Sequence, residues 1–282
     1  MTAAERGASR RLAVVGWPIE HSLSPVLHGA AARALGLDWR YERRPVREGE
    51  LEGFVDVLDA SWLGLSVTAP LKREAALLAA SLDERARLTG AANTLLLGAR
   101  PRGWNTDVGG IVRAFAGGGL EEAATGAIVG AGATASSALV ALAELGARSV
   151  AVALRSPAKG AQLVALGARL DVEVALQPLG EALPAVDAAV STLPAAADVV
   201  PAFAHPPSML LDADYARADG SRYRGAVPAG ALIDGREMLL GQAVLQVRIF
   251  TSGDVASPLP DEERVAAAMR SALAVATGLE ES

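Results

Sequence analysis

Lys72 is one of only two lysines in a chain whose other 24 basic residues are arginine, the second being Lys159. Arginine stays protonated near neutrality, whereas a lysine tuned by desolvation or a neighbouring charge can release and retake a proton. Lys72 closes the stretch Gly64-Leu65-Ser66-Val67-Thr68-Ala69-Pro70-Leu71-Lys72. There Leu63, Leu65 and Val67 predict a short buried strand, which Pro70 ends. A lysine just past a strand end, opening an apolar helical run over residues 75–80, stands where catalytic groups are often mounted. A lone lysine also reads as an ordinary solvated side chain, so its neighbours have to carry the chemical reading.

Several neighbours have suitable chemistry. Ser22 and Ser24 precede Pro25 and a helical run to Leu35. Ser24 reads as a helix cap with Pro25 at the first helical position. Two hydroxyls at such an N-terminus, with free N–H groups and the helix dipole pointing the same way, are also suited to a carboxylate. Asn93 and Asn105 are the chain's only asparagines, and each falls in a short polar segment beside a predicted strand. Asn93 reads equally as turn chemistry, and Asp107, just ahead of a helix beginning near Val108, equally as a helix cap.

A second chemistry appears further on. Ala127-Ile128-Val129 runs into Gly130-Ala131-Gly132-Ala133-Thr134-Ala135 and then an alanine-rich segment to Leu145. This is the strand, glycine-loop, helix order of a dinucleotide-binding unit, with Ala135 in the place of the third glycine. The next strand, Ser149 to Leu154, is followed by Arg155 and Ser156, with Lys159 a turn later. An NAD site usually has a carboxylate there for the ribose 2′-hydroxyl. Arg155, Ser156 and Lys159 instead suit a 2′-phosphate, which favours NADP.

Elements must position these groups. Further strands are predicted at residues 11–16, 39–46, 95–97, 172–176, 187–191, 209–212 and 231–233, with helices at 48–59, 238–250 and 261–277. Gly117-Gly118-Gly119 reads as a flexible joint. The alternation beyond it predicts an open, largely parallel sheet with helices on both faces, and the last helices are expected to pack back on the first domain.

At 282 residues the chain can hold two domains. It is 51% hydrophobic and 21% charged, with a net charge of -6, which gives no footprint for nucleic acid or an anionic membrane. There is no cysteine, hence neither a disulfide framework nor a thiolate metal site. His21, His28 and His205 form no zinc-type pattern with carboxylates. The N-terminal stretch is polar, and no apolar run is long enough to span a bilayer, so a soluble cytoplasmic protein is expected.

Four motifs in order, Gly16 to His28 (Gly, Pro-Ile, His-Ser-x-Ser-Pro and a further His), Val67 to Lys72 (Val-Thr-x-Pro-x-Lys), Gly90 to Thr94 (Gly-Ala-x-Asn-Thr) and Asn105 to Gly109 (Asn-Thr-Asp, then Gly), resemble those of the shikimate dehydrogenase family over almost the full length. The resemblance implies an α/β protein with an N-terminal substrate domain (residues 1–107), a Rossmann-like NADP-binding domain (108–235) and C-terminal helices (236–282) returning to the first. It implies NADPH-dependent, reversible reduction of 3-dehydroshikimate to shikimate, in a monomer or homodimer. Lys72 and Asp107 are then the catalytic pair, and Ser22 and Ser24 hold the substrate carboxylate. Thr68, Asn93, Tyr215 and Gln242 match positions that bind the ring hydroxyls, and Gly235 and Met238 match residues near the nicotinamide. Cofactor contacts fall on Gly130, Gly132, Ala133, Ala135, Arg155, Ser156 and Lys159. Three departures stand out: Ser66 where many members have Asn, Thr192-Leu193-Pro194 in place of a small hydroxyl and glycine loop, and the segment after Tyr215. A quinate/shikimate dehydrogenase using NAD, or a shikimate-like ligand sensor without turnover, are the alternatives.

Overall fold

A computed structural model describes residues 9–217 and 220–278; the polar stretch ahead of residue 9 lies outside them. The chain forms two compact units. Unit 1 comprises Met1–Thr106 and Gln242–Ser282, and unit 2 is the continuous segment Asp107–Gly241.

Unit 1 is built on a six-stranded sheet of order β2-β1-β3-β5-β6-β4. Its strands are β1 (Arg10–Gly16), β2 (Trp39–Pro45), β3 (Trp62–Val67), β4 (Ser81–Leu82), β5 (Thr94–Leu96) and β6 (Arg102–Trp104), with helices α1 (Ser24–Leu35), α2 (Leu51–Asp56), α3 (Lys72–Leu78) and α4 (Glu84–Thr89) between them. β1 pairs in parallel with β2 and β3, while β5 runs antiparallel to both β3 and β6. Because side chains alternate along a strand, β1 and β3 serve two cores. Ala13, Val15, Leu65 and Val67 face one, with Leu51, Leu71 and Ala75. On the opposite face Gly64 lets helix α8 (Gly235–Ser252) approach; a Cβ there would lie 2.4 Å from the Phe250 ring and 2.7 Å from the Leu95 carbonyl oxygen. Helix α9 (Glu262–Ala276) packs against α1.

The mixed sheet departs from the sequence reading in its short strands. β4 and β6 are two and three residues long, too short to carry an alternation that sequence can reveal. The helix expected over residues 48–59 is confined to Leu51–Asp56, preceded by Gly49 at φ 85°.

Unit 2 holds the second sheet, β7 (Thr125–Val129), β8 (Ser149–Leu154), β9 (Glu173–Pro178), β10 (Ala188–Ser191), β11 (Met209–Asp212) and β12 (Leu232–Asp234), in the order β12-β11-β10-β7-β8-β9. Every pairing is parallel. Helix α5 (Thr106–Gly117) leads in, and α6 (Ala133–Glu144) and α7 (Pro157–Arg169) form the crossovers from β7 to β8 and β8 to β9. The strand order reverses between β7 and β10, and ligands of such sheets bind at the C-terminal ends of the strands flanking that point.

Two expectations need correcting here. The glycine triplet is the exposed end of α5 and the turn after it, not the boundary between the units: the division falls at Thr106/Asp107. Helices also do not line both faces throughout. Among the described residues no α-helix connects β9, β10, β11 and β12. Loop side chains, Leu183, Leu193, Phe203, Tyr223 and Val227, cover Ala127, Ala189 and Leu210 instead.

Candidate functional site

In unit 1 the expected substrate residues rise from the ends of β1 and β3. Gly16 ends β1 against the segment after β3, where a Cβ would meet the Thr68 methyl at 2.4 Å and the Ala69 carbonyl oxygen at 2.8 Å. Trp17 N–H donates to that same carbonyl at 3.1 Å, and the Trp17–Pro18 and Ala69–Pro70 bonds, one in each of the two segments, are both cis. Lys72 is the first residue of α3 and half-buried, and its carbonyl accepts from Ala92 N–H at 2.8 Å. The lysine is thereby tied to the turn that presents Asn93.

Ser24 does not cap α1. It is the first helical residue, Leu23 holds the cap position, and no side chain caps the helix. The Ser22 hydroxyl accepts from Ser24 N–H at 3.3 Å. Ser24 is 7% exposed and Ser22 half-buried.

Asn93, 2% exposed, is a hub. Its Oδ1 accepts from Thr106 N–H at 2.8 Å and from the Thr94 hydroxyl at 2.9 Å, and its Nδ2 donates to the Gln242 Oε1 at 3.4 Å. The structure therefore joins two of the expected ring-hydroxyl residues directly. Asn105 serves the scaffold: its Nδ2 donates to the Thr89 hydroxyl and its N–H to Asp83. Asp83 caps α4, and burial raises its pKa.

A connected set of polar side chains beside these was missed from sequence. The Tyr41 hydroxyl donates to Ser66 at 2.6 Å, and Ser66 donates to the Gln246 Oε1 at 2.8 Å. The Gln246 Nε2 in turn donates to the Asn93 carbonyl and the Thr94 hydroxyl, each at 3.0 Å. His28 stacks on Tyr41 at 4.2 Å, and its Nδ1 lies 2.9 Å from the Ser24 carbonyl oxygen. Burial lowers the His28 pKa to about 4, so the ring is neutral at pH 7. One signal was available: Gln242 and Gln246 are four apart in a helix and so share a face.

In unit 2, Asp107 lies in the first turn of α5 and is 5% exposed. Tyr215 follows β11; the residue is 37% exposed overall, and its hydroxyl pKa is raised by burial first and then by the charges of Asp107 and Asp214. Gly130 follows β7 at φ 109°, a conformation closed to most side chains, and a Cβ would sit 2.4 Å from the Thr192 hydroxyl oxygen. Gly132 takes the cap position of α6, Ala133 opens the helix without a side-chain cap, and Ala135 is fully buried. Backbone N–H groups at such a helix start suit a pyrophosphate.

Arg155 and Lys159 are exposed and Ser156 half-buried at the end of β8 and the start of α7. Beside them is a cleft of about 420 Å³ lined by Leu154, Arg155, Pro157, Leu176, Pro178 and Leu179, apolar enough for a base. Gly235 opens α8, where a Cβ would lie 2.7 Å from the Asp212 carbonyl oxygen, and Met238 is buried. Among the described residues no cluster of His, Asp and Glu could hold a metal ion, and no helix is long and apolar enough to cross a membrane.

The fold and these residues define a two-unit α/β protein in which a parallel, Rossmann-like dinucleotide-binding sheet accompanies a mixed-sheet unit bearing a lysine. A family model described as the shikimate dehydrogenase substrate binding domain matches residues 14–95. The chain is 37% identical over 268 residues to a shikimate dehydrogenase (NADP(+)) of Natronomonas pharaonis, covering 92% of this chain and 98% of that one. Among solved structures, a shikimate 5-dehydrogenase of Mycobacterium fortuitum is 38% identical with a TM-score of 0.74, covering 94% of this chain and 98% of that one. That of Thermus thermophilus in complex with NADP(H) and shikimate is 27% identical with a TM-score of 0.75, covering 93% and 99%. The chain belongs to the shikimate dehydrogenase family.

Proposed function

We propose that this protein catalyses the NADP-dependent, reversible interconversion of shikimate and 3-dehydroshikimate, a step of aromatic biosynthesis. The observation that carries the reading is the 37% identity to an NADP-dependent shikimate dehydrogenase over 92% of this chain, so that it spans both units. Gly130 and the α6 N-terminus supply a pyrophosphate cradle, with Gly132, Ala133 and Ala135 shaping it. Arg155, Ser156 and Lys159 take the 2′-phosphate, and Gly235 and Met238 border the nicotinamide. Bound NADPH supplies the hydride, and NADP receives it in reverse.

This chain's own residues bind the substrate and manage one proton. Ser22 and Ser24 hold the carboxylate through their hydroxyls. Thr68, Asn93, Gln242 and Tyr215 orient the ring hydroxyls, the two amides already fixed by their mutual bond. In the oxidation direction the neutral Lys72 Nζ accepts the proton of the reacting hydroxyl. In the reduction direction the ammonium stabilises the charge developing on the carbonyl oxygen and returns the proton. Asp107 is the second residue of the proposed catalytic pair.

Cofactor absorbance, with shikimate and quinate each tested against NADP and NAD, decides the matter. Turnover is expected with shikimate and NADP, and Lys72→Ala is expected to lose kcat far more than substrate binding. Preferred turnover of quinate with NAD, no turnover in any arm, or near-normal kcat in the variant would each reject the reading as stated.

A further inference from the structure

Arg222 is an unusual residue for the loop layer of unit 2. Its side chain is only 2% exposed, and burying a guanidinium costs several kcal/mol unless its donors are met. Here Nη1 and Nη2 are met mostly by backbone, while Nε is buried without a hydrogen bond. Nη1 donates to the Ala197 carbonyl at 2.9 Å, and Nη2 to the Pro194 carbonyl at 2.9 Å and the Leu193 carbonyl at 3.2 Å. On the other side Nη2 donates to Asp214 at 3.1 Å, and Nε lies 3.8 Å from Asp212 Oδ2, which also accepts from the Ser221 hydroxyl at 2.7 Å. One rigid fork thus joins the segment leaving β10 to the segment leaving β11, in the half of the sheet where, among the described residues, no α-helix connects the strands.

The segment leaving β10 reaches the glycine loop. Thr192, next to Leu193, donates to the Val129 carbonyl from its N–H at 2.8 Å and from its hydroxyl at 3.0 Å. The same hydroxyl oxygen occupies the space a Cβ on Gly130 would need. Sheet order then separates the two ends of a bound dinucleotide. Arg155 follows β8 on one side of β7, whereas Thr192 follows β10 on the other. The adenosine end belongs over β8, leaving the nicotinamide end to the β10 and β11 side.

We propose that Arg222 is a positioning residue for the nicotinamide half of the cofactor site, holding the Thr192-Leu193-Pro194 segment against the glycine loop. The inference rests on the NADP-dependent activity proposed above. Its consequence is selective, because losing the fork loosens one half of the site and leaves the Arg155 side untouched.

Calorimetric titration of wild type, Arg222→Lys and Asp214→Asn with NADP and with adenosine 2′,5′-bisphosphate, which lacks the nicotinamide half, tests this. Arg222→Lys keeps the charge but cannot reach three carbonyls at once. Its Kd for NADP is expected to rise about tenfold, with the Kd for the bisphosphate within twofold of wild type. Asp214→Asn, which keeps an acceptor, is expected to shift the same ratio less, and covers the case in which the arginine variant does not fold. Equal weakening of both nucleotides would mark a merely structural role, and unchanged affinity for both would mark none; either overturns the proposal. A wild type that binds NADP selectively but does not oxidise shikimate rejects the activity while the two titrations still decide Arg222. A wild type that binds neither nucleotide overturns both.

Discussion

Ser66 sits between half-buried Tyr41 and buried Gln246, and removing its hydroxyl should cost more than one hydrogen bond. In Ser66→Ala the hydroxyl of half-buried Tyr41 loses Ser66 as an acceptor and the buried Gln246 Oε1 loses a donor. An orphaned buried polar group costs about 1–3 kcal/mol, so this variant is expected to lose about 3 kcal/mol. Tyr41→Phe is milder, because Ser66 still donates to Gln246 and the ring still stacks on His28; about 1 kcal/mol is expected. In the double variant no tyrosine hydroxyl remains to be stranded, and the loss should be about 2 kcal/mol rather than the 4 that independent effects predict, a coupling of about 2 kcal/mol. Trp17, Trp39, Trp62 and Trp104 are the chain's four tryptophans, and all lie in unit 1. Urea unfolding followed by tryptophan fluorescence therefore reports this unit alone. Strict additivity of the two single variants would refute the relay from Tyr41 through Ser66 to Gln246.

Gly130→Ala is expected to raise the Kd for NADP at least tenfold, about 1.4 kcal/mol, because it combines a φ of 109° with a contact of 2.4 Å to the Thr192 hydroxyl. Adding Thr192→Ala relieves the contact but not the backbone strain, so complete rescue of the measured affinity would count against the strain. His28 gives unit 1 an acid sensitivity. Its pKa falls from 6.5 to about 4 on folding through burial, so stability is full above pH 6.5. Below that the unfolded chain takes up a proton the folded one refuses, and this residue alone erodes stability by about 1.4 kcal/mol per pH unit until about pH 4. His28→Gln should flatten the profile over pH 6.5 to 4 in the same fluorescence assay, and an unchanged slope would exclude the residue as its source.

What could be read from the sequence was whatever has a local signature. The apolar runs of β7 and β8, the glycines after Val129 and the Pro25 helix start declare themselves within a few residues, and the parallel half of the architecture follows from their alternation. β4 and β6 do not, since strands of two and three residues owe their existence to the sheet they join. The Ser24 cap failed because Ser-Pro specifies a helix start only to within a residue; the helix took Leu23 as its boundary and left the Ser24 hydroxyl for other uses. Tyr41, Ser66 and Gln246 come from β2, β3 and α8, with 180 positions between the last two, and no local pattern links them. Arg222 was unremarkable among so many arginines until its burial was seen. Position in the chain hints at charge and propensity, but only the fold shows which charges have been taken out of water.

The interruption of unit 1 by unit 2 also sets a schedule for synthesis. β1, β2 and β3 leave the ribosome early, yet the face of Gly64 waits for Phe250, and α1 waits for α9. During that interval an apolar sheet face is without its partner while the whole of Asp107–Gly241 is being made, the condition under which nascent chains associate wrongly. Unit 2, being continuous, meets no such delay. Its sheet can be complete before the chain returns, so that the segment translated second is the one able to finish folding first.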